Sequence, residues 1–562
     1  MKARKIFAAP LLVGALSLAA CGGGGGGSDD GGDAGSEQSL GSNTSFDTNA
    51  QDRGSLAQGG EVRLAVSSLA ENWNPMHIDG NDNDYTQIRD SILPNYFNFD
   101  ALGVPTANPD YLVSAEQTQA KPTVVKMVLN PEAVWGDGSP IDVDDLTATW
   151  KACNGENTKN NCASTDGFDQ VASIESGADK FDVTITFKDA FPDWAQPFTQ
   201  PLKAESIADT DTFNTGWTTL DNEWLAGPFK VENIDKTQQV VTEVPNENWW
   251  GEKPLLDKIS HRVIAVDATP NAFVNNEIDV YDIGSDPNGY QLATGVSGAT
   301  IRKAAGPNWR HITVNSKAGL LKDKVVRQAV LQGLDRDAIG SSDLAGIDWP
   351  TTVLNNTIIL SNQEGYQDMA ELTGLKYDPE KAKSELDAAG WTVGSDGIRE
   401  KDGKKLAVKF STLDGVPAAQ NEGLQSQNML KEIGIKVDIV NVPSDEFSTT
   451  LSSHSFEMIP FSWIGTPFPF ANINQLFGTG SDSNYAQLSM PEVDELANQI
   501  KVETDKAKRI ELANQAAKII WENVHTIPLY QRPELIATKS NLANYGAFGL
   551  TNVKWQDVGY QQ

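Results

Sequence analysis

The stretch Tyr377–Trp391 reads YDPEKAKSELDAAGW and contains a helix together with both of its ends. Asp378 is typical of an N-cap residue, and Pro379 fits the first helical position, where no backbone N–H donor is needed. Alanine and leucine recur inside the stretch at helical spacing, which predicts one buried face. Gly390 fits the left-handed residue that often ends a helix. The stretch therefore predicts a complete amphipathic helix.

Segments in which apolar and polar residues alternate lie on both sides of this helix and predict half-buried strands. They are residues 62–66, 181–187, 406–410 and 435–439. A second amphipathic helix is predicted from about Asp505 to Asn523, with Pro528 ending the segment. The part of the chain from about residue 59 onward is long enough for two or three domains. The alternation of strands and helices predicts a mixed α/β fold with two large lobes.

The first twenty residues have the pattern of an export signal. A short basic region precedes the apolar run Ile6–Leu18, which is shorter than the ~20 residues of a membrane-spanning helix. The run closes with small residues before Cys21, an arrangement that resembles the lipobox of bacterial lipoproteins. We therefore expect a signal peptide over residues 1–20 and lipidation of Cys21. The alternative is an ordinary signal peptide with an incidental cysteine.

Residues 21–58 begin with the all-glycine run Gly22–Gly27 and continue with serine, aspartate, glycine and asparagine. This composition cannot bury a core and predicts a flexible linker. Two acyl chains on the cysteine would give stable membrane anchoring, whereas one chain gives only marginal binding. The whole chain has 44 Lys and Arg against 76 Asp and Glu, a net charge of -32. The absence of a basic patch argues against DNA or RNA as a partner.

Two further cysteines, Cys153 and Cys162, enclose a polar segment, and outside the cytoplasm such a pair predicts a disulfide. Zinc would need more ligands nearby, and none are evident. Residues 79–90 faintly resemble a calcium loop, but Asp84 stands where the loop needs glycine, so we interpret the segment as a polar loop. We predict no metal site and no cofactor.

The sequence also lacks the motifs of common hydrolases. It contains neither H-E-x-x-H nor G-x-S-x-G, and no Walker-type phosphate loop. The histidines show no metal-ligand spacing; they are His77, His261, His311, His454 and His525. We therefore do not expect an enzyme, although a secreted hydrolase stays open as a weak alternative.

Short motifs along the chain resemble those of the peptide/nickel class of extracellular solute-binding proteins, family 5, which serve ABC importers. Each motif is weak alone, but together they keep the family's order from residue 72 to residue 529. They are Asn72–Pro75, Val134–Pro140 with Asp144 and Asp145, Gly227–Val231, Asn246–Trp250, Asn276–Asp279, Val314–Asn315, Val326–Ala329, Leu334–Arg336, Tyr377–Trp391, Asn484–Tyr485, Pro491–Asp494 and Ile527–Leu529.

The resemblance implies a two-lobed periplasmic-binding-protein-like fold, type II and cluster C, with an extra subdomain inserted in the first lobe. Transferred to this chain, lobe I comprises residues 59–95, 221–310 and 525–562, the inserted subdomain residues 96–220, and lobe II residues 311–524. Such lobes close around a solute by hinge motion. The implied function is to capture peptides or peptide-like solutes and deliver them to a permease with its ATPase. We expect a monomer that is lipid-anchored at the outer face of the cytoplasmic membrane.

The resemblance also indicates where the solute contacts the protein. An aspartate in a W-x-x-D-Y segment pairs with the charged amino terminus of a bound peptide in this family. The corresponding residues here are Trp463, Ile464, Gly465 and Thr466, so a hydroxyl replaces the carboxylate. Either another acid supplies the counter-ion, or the ligand lacks that cation, as a blocked peptide, a glycoside or a bulky apolar solute would.

Other candidate contacts are Leu69, Asn72 and Trp73 after the first strand, and Asn484 with Tyr485 in a later turn. The alternative for that turn is a purely structural role. Phe468 and Phe470 could join Trp463 in stacking on ligand rings, or could simply pack the lobe. A second function class also stays open, because a ligand-sensing lipoprotein that serves a signalling partner would have the same fold.

Overall fold

The computed structural model describes residues 46–443 and 446–562, with the backbone alone at residues 83 and 84. The predicted signal peptide and Cys21 lie outside the described residues. Within the described part, no helix is long and apolar enough to cross a membrane.

The strands are β1 (Glu61–Val66), β2 (Phe97–Phe99), β3 (Pro105–Ala107), β4 (Leu112–Ala120), β5 (Thr123–Leu129), β6 (Val171–Ser176), β7 (Asp182–Phe187), β8 (Phe229–Asp235), β9 (Val240–Pro245), β10 (Lys258–Val263), β11 (Val280–Asp282), β12 (Ala299–Val314), β13 (Thr392–Val393), β14 (Arg399–Lys401), β15 (Lys404–Lys405), β16 (Ala407–Leu413), β17 (Lys436–Val442), β18 (Met458–Trp463), β19 (Thr526–Lys539), β20 (Leu542–Ala543) and β21 (Gly559–Tyr560).

The helices are α1 (Asn83–Ile92), α2 (Val143–Cys153), α3 (Thr210–Thr215), α4 (Thr269–Val274), α5 (Pro287–Thr294), α6 (Lys324–Gly333), α7 (Arg336–Asp343), α8 (Met369–Thr373), α9 (Pro379–Ala388), α10 (Pro417–Glu432), α11 (Phe447–Ser452), α12 (Ile473–Phe477), α13 (Pro491–Val502) and α14 (Lys506–Asn523).

The helix predicted from Tyr377–Trp391 is confirmed as α9. The Asp378 carboxylate accepts a hydrogen bond from the N–H of Lys381 at 2.9 Å, so it is the N-cap. Gly390 follows the helix with φ +84°, in the left-handed region. The buried stripe holds as well, since Ala382 and Leu386 are fully buried in the large core. Helix α14 and the four predicted strands are also present, with ends shifted by one to three residues.

The polar loop predicted over residues 79–90 is wrong in its second half. Helix α1 begins at Asn83 and continues to Ile92. It forms because Tyr85, Ile88 and Ile92 are buried on one side of the segment. Acidic and other polar residues separate these apolar residues in the sequence, so the helical spacing of the apolar residues was not recognised.

Three sheets build the framework of the fold. A four-stranded sheet with order β1-β10-β9-β8 and a second one with order β4-β5-β7-β6 lie over separate apolar cores. A six-stranded sheet has order β11-β19-β12-β18-β16-β17 and belongs to the largest core. The predicted α/β class is therefore confirmed.

The start of the described chain is fastened to its C-terminal end. The N–H of Asp47 donates to the carbonyl of Ala547 at 2.8 Å, and the N–H of Ala57 donates to Tyr560 at the same distance. Arg53 binds the carboxylate of Asp557 at 2.9 Å. The linker end predicted at residue 58 is therefore too late, because the chain already packs on the folded body from Asp47 onward.

Candidate ligand-binding site

The two longest strands, β12 and β19, run antiparallel through the middle of the six-stranded sheet. Their register shifts between Ala305 and Trp309, where residues 306–308 bulge out of the ladder. Before the bulge β12 pairs only with β19, whose far end pairs with β11; beyond it, β12 also pairs with β18. A bulge re-aims side chains and bends a strand. The candidate site is built around this crossing.

The end of β18 presents an aromatic surface beside the bulge. Trp463 lies opposite Trp309 in the strand register. Its ring is parallel to that of Tyr485, with centroids 5.7 Å apart, and parallel to that of His311 at 6.0 Å. The edge of Phe461 contacts it at 5.1 Å. The tryptophan is only partly buried, so its neighbours fix its orientation while part of the ring stays open to a ligand.

His311 is a fully buried aromatic side chain that packs against the Trp463 ring and that the sequence did not indicate. Burial lowers the pKa of its imidazole well below the usual range, so the ring is neutral. One ring nitrogen lies 3.0 Å from the hydroxyl of Thr313. The only available signal was its position in a strand, two residues from Trp309, which places both on the same face.

The segment after Trp463 crosses close to the bulge. A Cβ atom on Gly465 would lie 2.3 Å from the carbonyl oxygen of Pro307, so only glycine fits there. Ile464 is 51% exposed. The hydroxyl of Thr466 accepts from the N–H of Phe468 at 3.3 Å and thus closes its own turn. No carboxylate stands at position 466.

Phe468 and Phe470 do not join Trp463. Phe468 is buried in the core of the four-stranded sheet β4-β5-β7-β6, with its ring edge-on to Phe99 at 5.7 Å. Phe470 lies under the guanidinium of Arg509, 4.9 Å from the ring centroid. The alternative that these two residues pack the protein is therefore the one that the structure favours.

Leu69 and Trp73 line a cavity of about 320 Å³ together with residues 218–220, 222, 231–234 and 236. None of its lining residues comes from residues 311–524, so this cavity is not a space between the two predicted lobes. Asn72 is buried, its amide donates to the carbonyl of Asn214 at 2.8 Å, and its oxygen accepts from the N–H of Asn74. The side chain of Asn72 thus forms its hydrogen bonds inside the protein.

Asn484 is likewise engaged inside the protein. Its amide donates to the carbonyls of Gly478 at 2.9 Å and Leu488 at 2.8 Å. Its oxygen lies 2.9 Å from a ring nitrogen of His525. The structural role of this turn is to hold the neighbouring Tyr485 against Trp463.

Two polar side chains at the crossing were missed by the motif comparison. The amide oxygen of Asn308 in the bulge is buried without a hydrogen-bond partner, and such groups call for an explanation. Glu534 lies against Gly306, and burial raises the pKa of its carboxyl to about 7. The carboxylate of Glu534 accepts from the N–H groups of Phe548 at 3.0 Å and Gly549 at 2.7 Å.

A buried ion pair supports the crossing from the other face of the sheet. Arg310 donates from two nitrogens to the two carboxylate oxygens of Glu422, each at 2.7 Å. Asp343 completes the group; it accepts from Asn421 at 2.7 Å and from the hydroxyl of Tyr530 at 3.3 Å. These contacts fix β12 and β19 to helices α7 and α10.

A catalytic arrangement is not evident among the described residues. Ser91 donates to Glu243 at 2.5 Å and His261 lies 3.2 Å from the same carboxylate, but all three side chains are fully buried and the histidine does not contact the serine. No described group of three or more His, Cys, Asp or Glu side chains is arranged to hold a metal ion. Cys153 and Cys162 are joined in a disulfide, with their Cα atoms 5.9 Å apart.

Two lobes joined by crossing strands, with a partly open aromatic surface at the crossing, define a solute-binding protein. Residues 66–485 match the bacterial extracellular solute-binding proteins, family 5. The chain is 34% identical to the oligopeptide-binding protein OppA of Mycobacterium tuberculosis over 525 residues, which cover 92% of this chain and 88% of OppA. The chain belongs to this family, whose members bind solutes and are not catalytic.

Solved structures agree with this assignment. The periplasmic EDTA-binding protein EppA is similar with a TM-score of 0.83 and 27% identity, covering 92% of this chain and 99% of EppA. The oligopeptide-binding protein AppA from Bacillus subtilis, in complex with a nonapeptide, has a TM-score of 0.77 and covers 90% of this chain and 100% of AppA. Its 20% identity shows the fold alone. The predicted two-lobed fold is therefore confirmed.

Proposed function

We propose that this chain captures peptides or peptide-like solutes outside the cytoplasm and delivers them to an ABC permease with its ATPase. The observation that carries the proposal is the aromatic surface of Trp463 and Tyr485 beside the β12 bulge, which the buried His311 supports from behind. A bound peptide needs main-chain hydrogen bonds and room for varied side chains. The unpartnered oxygen of Asn308 can accept one such bond, and the exposed part of the tryptophan ring can cover apolar side chains.

The relatives support this class of cargo. OppA of M. tuberculosis is named as an oligopeptide-binding protein and AppA holds a nonapeptide, whereas EppA is named for EDTA. We further propose that Cys21 carries the lipid anchor and that the protein acts as a monomer at the outer face of the cytoplasmic membrane. We propose that the segment after Cys21 serves as a tether that keeps the body near a permease; in the described part of the chain, Asp47 is already bonded to Ala547.

The lobe bounds also remain a proposal. The β12 bulge supports placing the first crossing at residues 306–308, close to the predicted end of lobe I at 310. The matching point on β19 lies near Arg532, between the partners Gln531 and Pro533. We therefore propose that lobe II continues to about residue 531 and not only to 524.

We propose that the amino terminus of the cargo does not meet a counter-ion at Thr466. Its hydroxyl carries no charge and already bonds within its own turn. If a free amino terminus is recognised, Glu534 is the acid beside the bulge that can pair with it. A buried ammonium without such a partner would be costly.

Thermal melting shifts of the protein with one nonapeptide in two forms test these proposals. One form has a free amino terminus and the other is acetylated there. Ligand at 100 times its Kd stabilises the folded state by ~2.7 kcal/mol, so both forms should raise the Tm clearly. A strong shift by the free peptide alone would contradict the proposal for Thr466. Absence of a shift with either form, and with a mixed pool of peptides, would contradict peptide binding.

The Glu534→Gln variant separates the two explanations for the amino terminus. If Glu534 is the counter-ion, this change weakens binding of the free peptide and leaves the acetylated form unaffected. The exposed Tyr377 provides a matched control for the aromatic surface. Tyr377→Ala should leave both Tm shifts unchanged, whereas Trp463→Ala should reduce both.

A further inference from the structure

We propose that two ion-pair contacts form a latch that stabilises the closed arrangement of the lobes, whether or not a solute is bound. The contacts join helices α13 and α14, in predicted lobe II, to residues 166–193 of the inserted subdomain. The proposal rests on the predicted lobe bounds, because the inserted subdomain must move with lobe I. It does not depend on what the cargo is.

The first contact is a bidentate pair. Arg509 donates from one terminal nitrogen to Asp193 at 2.9 Å and from the other to the second carboxylate oxygen. Its third nitrogen donates to the carbonyl of Ile500 at 3.0 Å, and its guanidinium lies over the ring of Phe470. The side chains of Arg509 and Asp193 are only 9% and 13% exposed. Contacts within predicted lobe II thus hold the Arg509 side chain in position. Its guanidinium group faces Asp193 of the inserted subdomain.

The second contact uses the last turn of α13. The ammonium of Lys501 lies 3.4 Å from the carboxylate of Asp169 and 3.8 Å from that of Asp166. The lysine side chain is 17% exposed. Two carboxylates of the inserted subdomain thus face the single ammonium of Lys501 in the last turn of α13.

Other ion pairs of helices α13 and α14 do not connect the two lobes. Lys506 pairs with Glu364 at 2.7 Å, and both side chains are more than 70% exposed. Lys508 pairs with Glu511 on α14 itself. Both of these pairs lie within residues 311–524, so hinge opening would leave them intact. Among the charged pairs of these two helices described above, those of Lys501 and Arg509 would break, together with the apolar contact of Phe468 with Phe99.

The space next to these pairs is closed. The cavity between Asp166, Asp193, Phe470 and Lys501 has a volume of only about 10 Å³. No solute fits there, so these charges do not form a ligand subsite. Opening would return both carboxylates and both cations to water, and closing would replace water by charge-assisted hydrogen bonds. Because Arg509 is already oriented by its own lobe, little side-chain entropy opposes closure, and the contacts shift the population towards the closed form.

Distance measurements between two spin labels test the latch without any ligand. The labels are attached at Glu116→Cys in the inserted subdomain and Lys518→Cys on α14, in the full chain, and the distance distribution is recorded by electron paramagnetic resonance. We expect a closed population at low salt. Combining Asp193→Asn with Lys501→Gln should lower the closed-to-open ratio roughly tenfold, which is within the range for partly buried pairs. Lys506→Gln removes a charge from α14, the helix that carries Arg509, and should leave the distribution unchanged.

High salt gives an independent test that does not depend on a variant folding. In the open form these charges face water, where salt screens and stabilises them, so 1 M NaCl should shift the distances of the unmodified latch towards the open form. Identical distributions in both proteins at low and high salt would overturn the proposal. Adding the nonapeptide afterwards separates this result from the proposed function. A peptide that closes neither protein argues against peptide binding and leaves the latch result as it stands.

Discussion

Replacing Glu422 by glutamine removes the counter-charge of the buried guanidinium beneath the β12–β19 crossing. Glu422 is fully buried, and Arg310 is 7% exposed. Breaking a buried pair by removing one partner costs ~3–5 kcal/mol, because the remaining charge is left without compensation. We nevertheless expect Glu422→Gln to cost less than this.

The reason is a second carboxyl in the same group. Burial, together with the nearby Glu422 charge, raises the pKa of Asp343 to about 8, so Asp343 is protonated at pH 6. In the Glu422→Gln variant, Asp343 can ionise and become the partner of Arg310, which limits the loss to ~1–2 kcal/mol. Asp343→Asn alone should not destabilise the protein at pH 6, because asparagine keeps the uncharged form that the folded chain favours. The double variant should lose the full ~3–5 kcal/mol, since no acid remains.

Asp343 also makes the stability depend on pH. Its pKa is higher in the folded chain than the value of ~3.9 in an unfolded one, so folding favours the protonated form. The resulting stabilisation is complete below about pH 4 and is lost as the pH rises through about 8. Asp343→Asn removes this contribution. The free energy of unfolding of this variant should fall less between pH 6 and pH 9 than that of the unchanged protein.

Urea unfolding followed by tryptophan fluorescence measures all four proteins at both pH values. The prediction would be refuted if the losses of unfolding free energy in the two single variants summed, within ~0.5 kcal/mol, to the loss in the double variant at pH 6. An unaltered pH dependence in Asp343→Asn would refute the assigned protonation state. Circular dichroism provides the control that each variant is folded before denaturant is added.

Three further predictions concern the candidate site and the disulfide. Trp463→Ala should weaken nonapeptide binding about tenfold or more by calorimetry, as for an aromatic anchor, while the protein stays folded; an unchanged Kd would move the site elsewhere. Thr466→Asp should tighten binding of the free peptide relative to the acetylated one, because it adds a counter-ion, and an equal effect on both forms would contradict that explanation. Cys153→Ser with Cys162→Ser should cost ~2–3 kcal/mol of unfolding free energy for a bridge over nine residues. Two free thiols found by mass measurement of the non-reduced chain would exclude the bridge.

Much of the local structure follows from neighbouring residues alone. The cap at Asp378, the proline after it and the stop at Gly390 lie within thirteen positions and need no partner from elsewhere. The same holds for the alternating strands, whose period fixes which side chains face the core. The order of short motifs along the chain also indicated the family.

The surroundings of the candidate site depend on distant parts of the chain. The side chain of Asn484 is hydrogen-bonded to His525. The side chain of Asn72 is hydrogen-bonded to the carbonyl of Asn214, which lies 142 positions away. Phe468 and Phe470 are close to Trp463 in sequence, yet they pack against the inserted region and against Arg509. Composition and spacing cannot separate a ring that meets a ligand from a ring that packs a core, because both are apolar and partly buried.

The sequence by itself determined the α/β class, the positions of two helices and four strands, the motif order of the family and the uncharged residue at position 466. Only the tertiary structure decided that Trp463 and Tyr485 share one surface backed by His311, that the β12 bulge lies beside it, and that Arg509 reaches Asp193. The physical reason is the range of the interactions. Caps and periodicity act over a few residues, whereas the site and the latch join side chains that are tens to hundreds of positions apart.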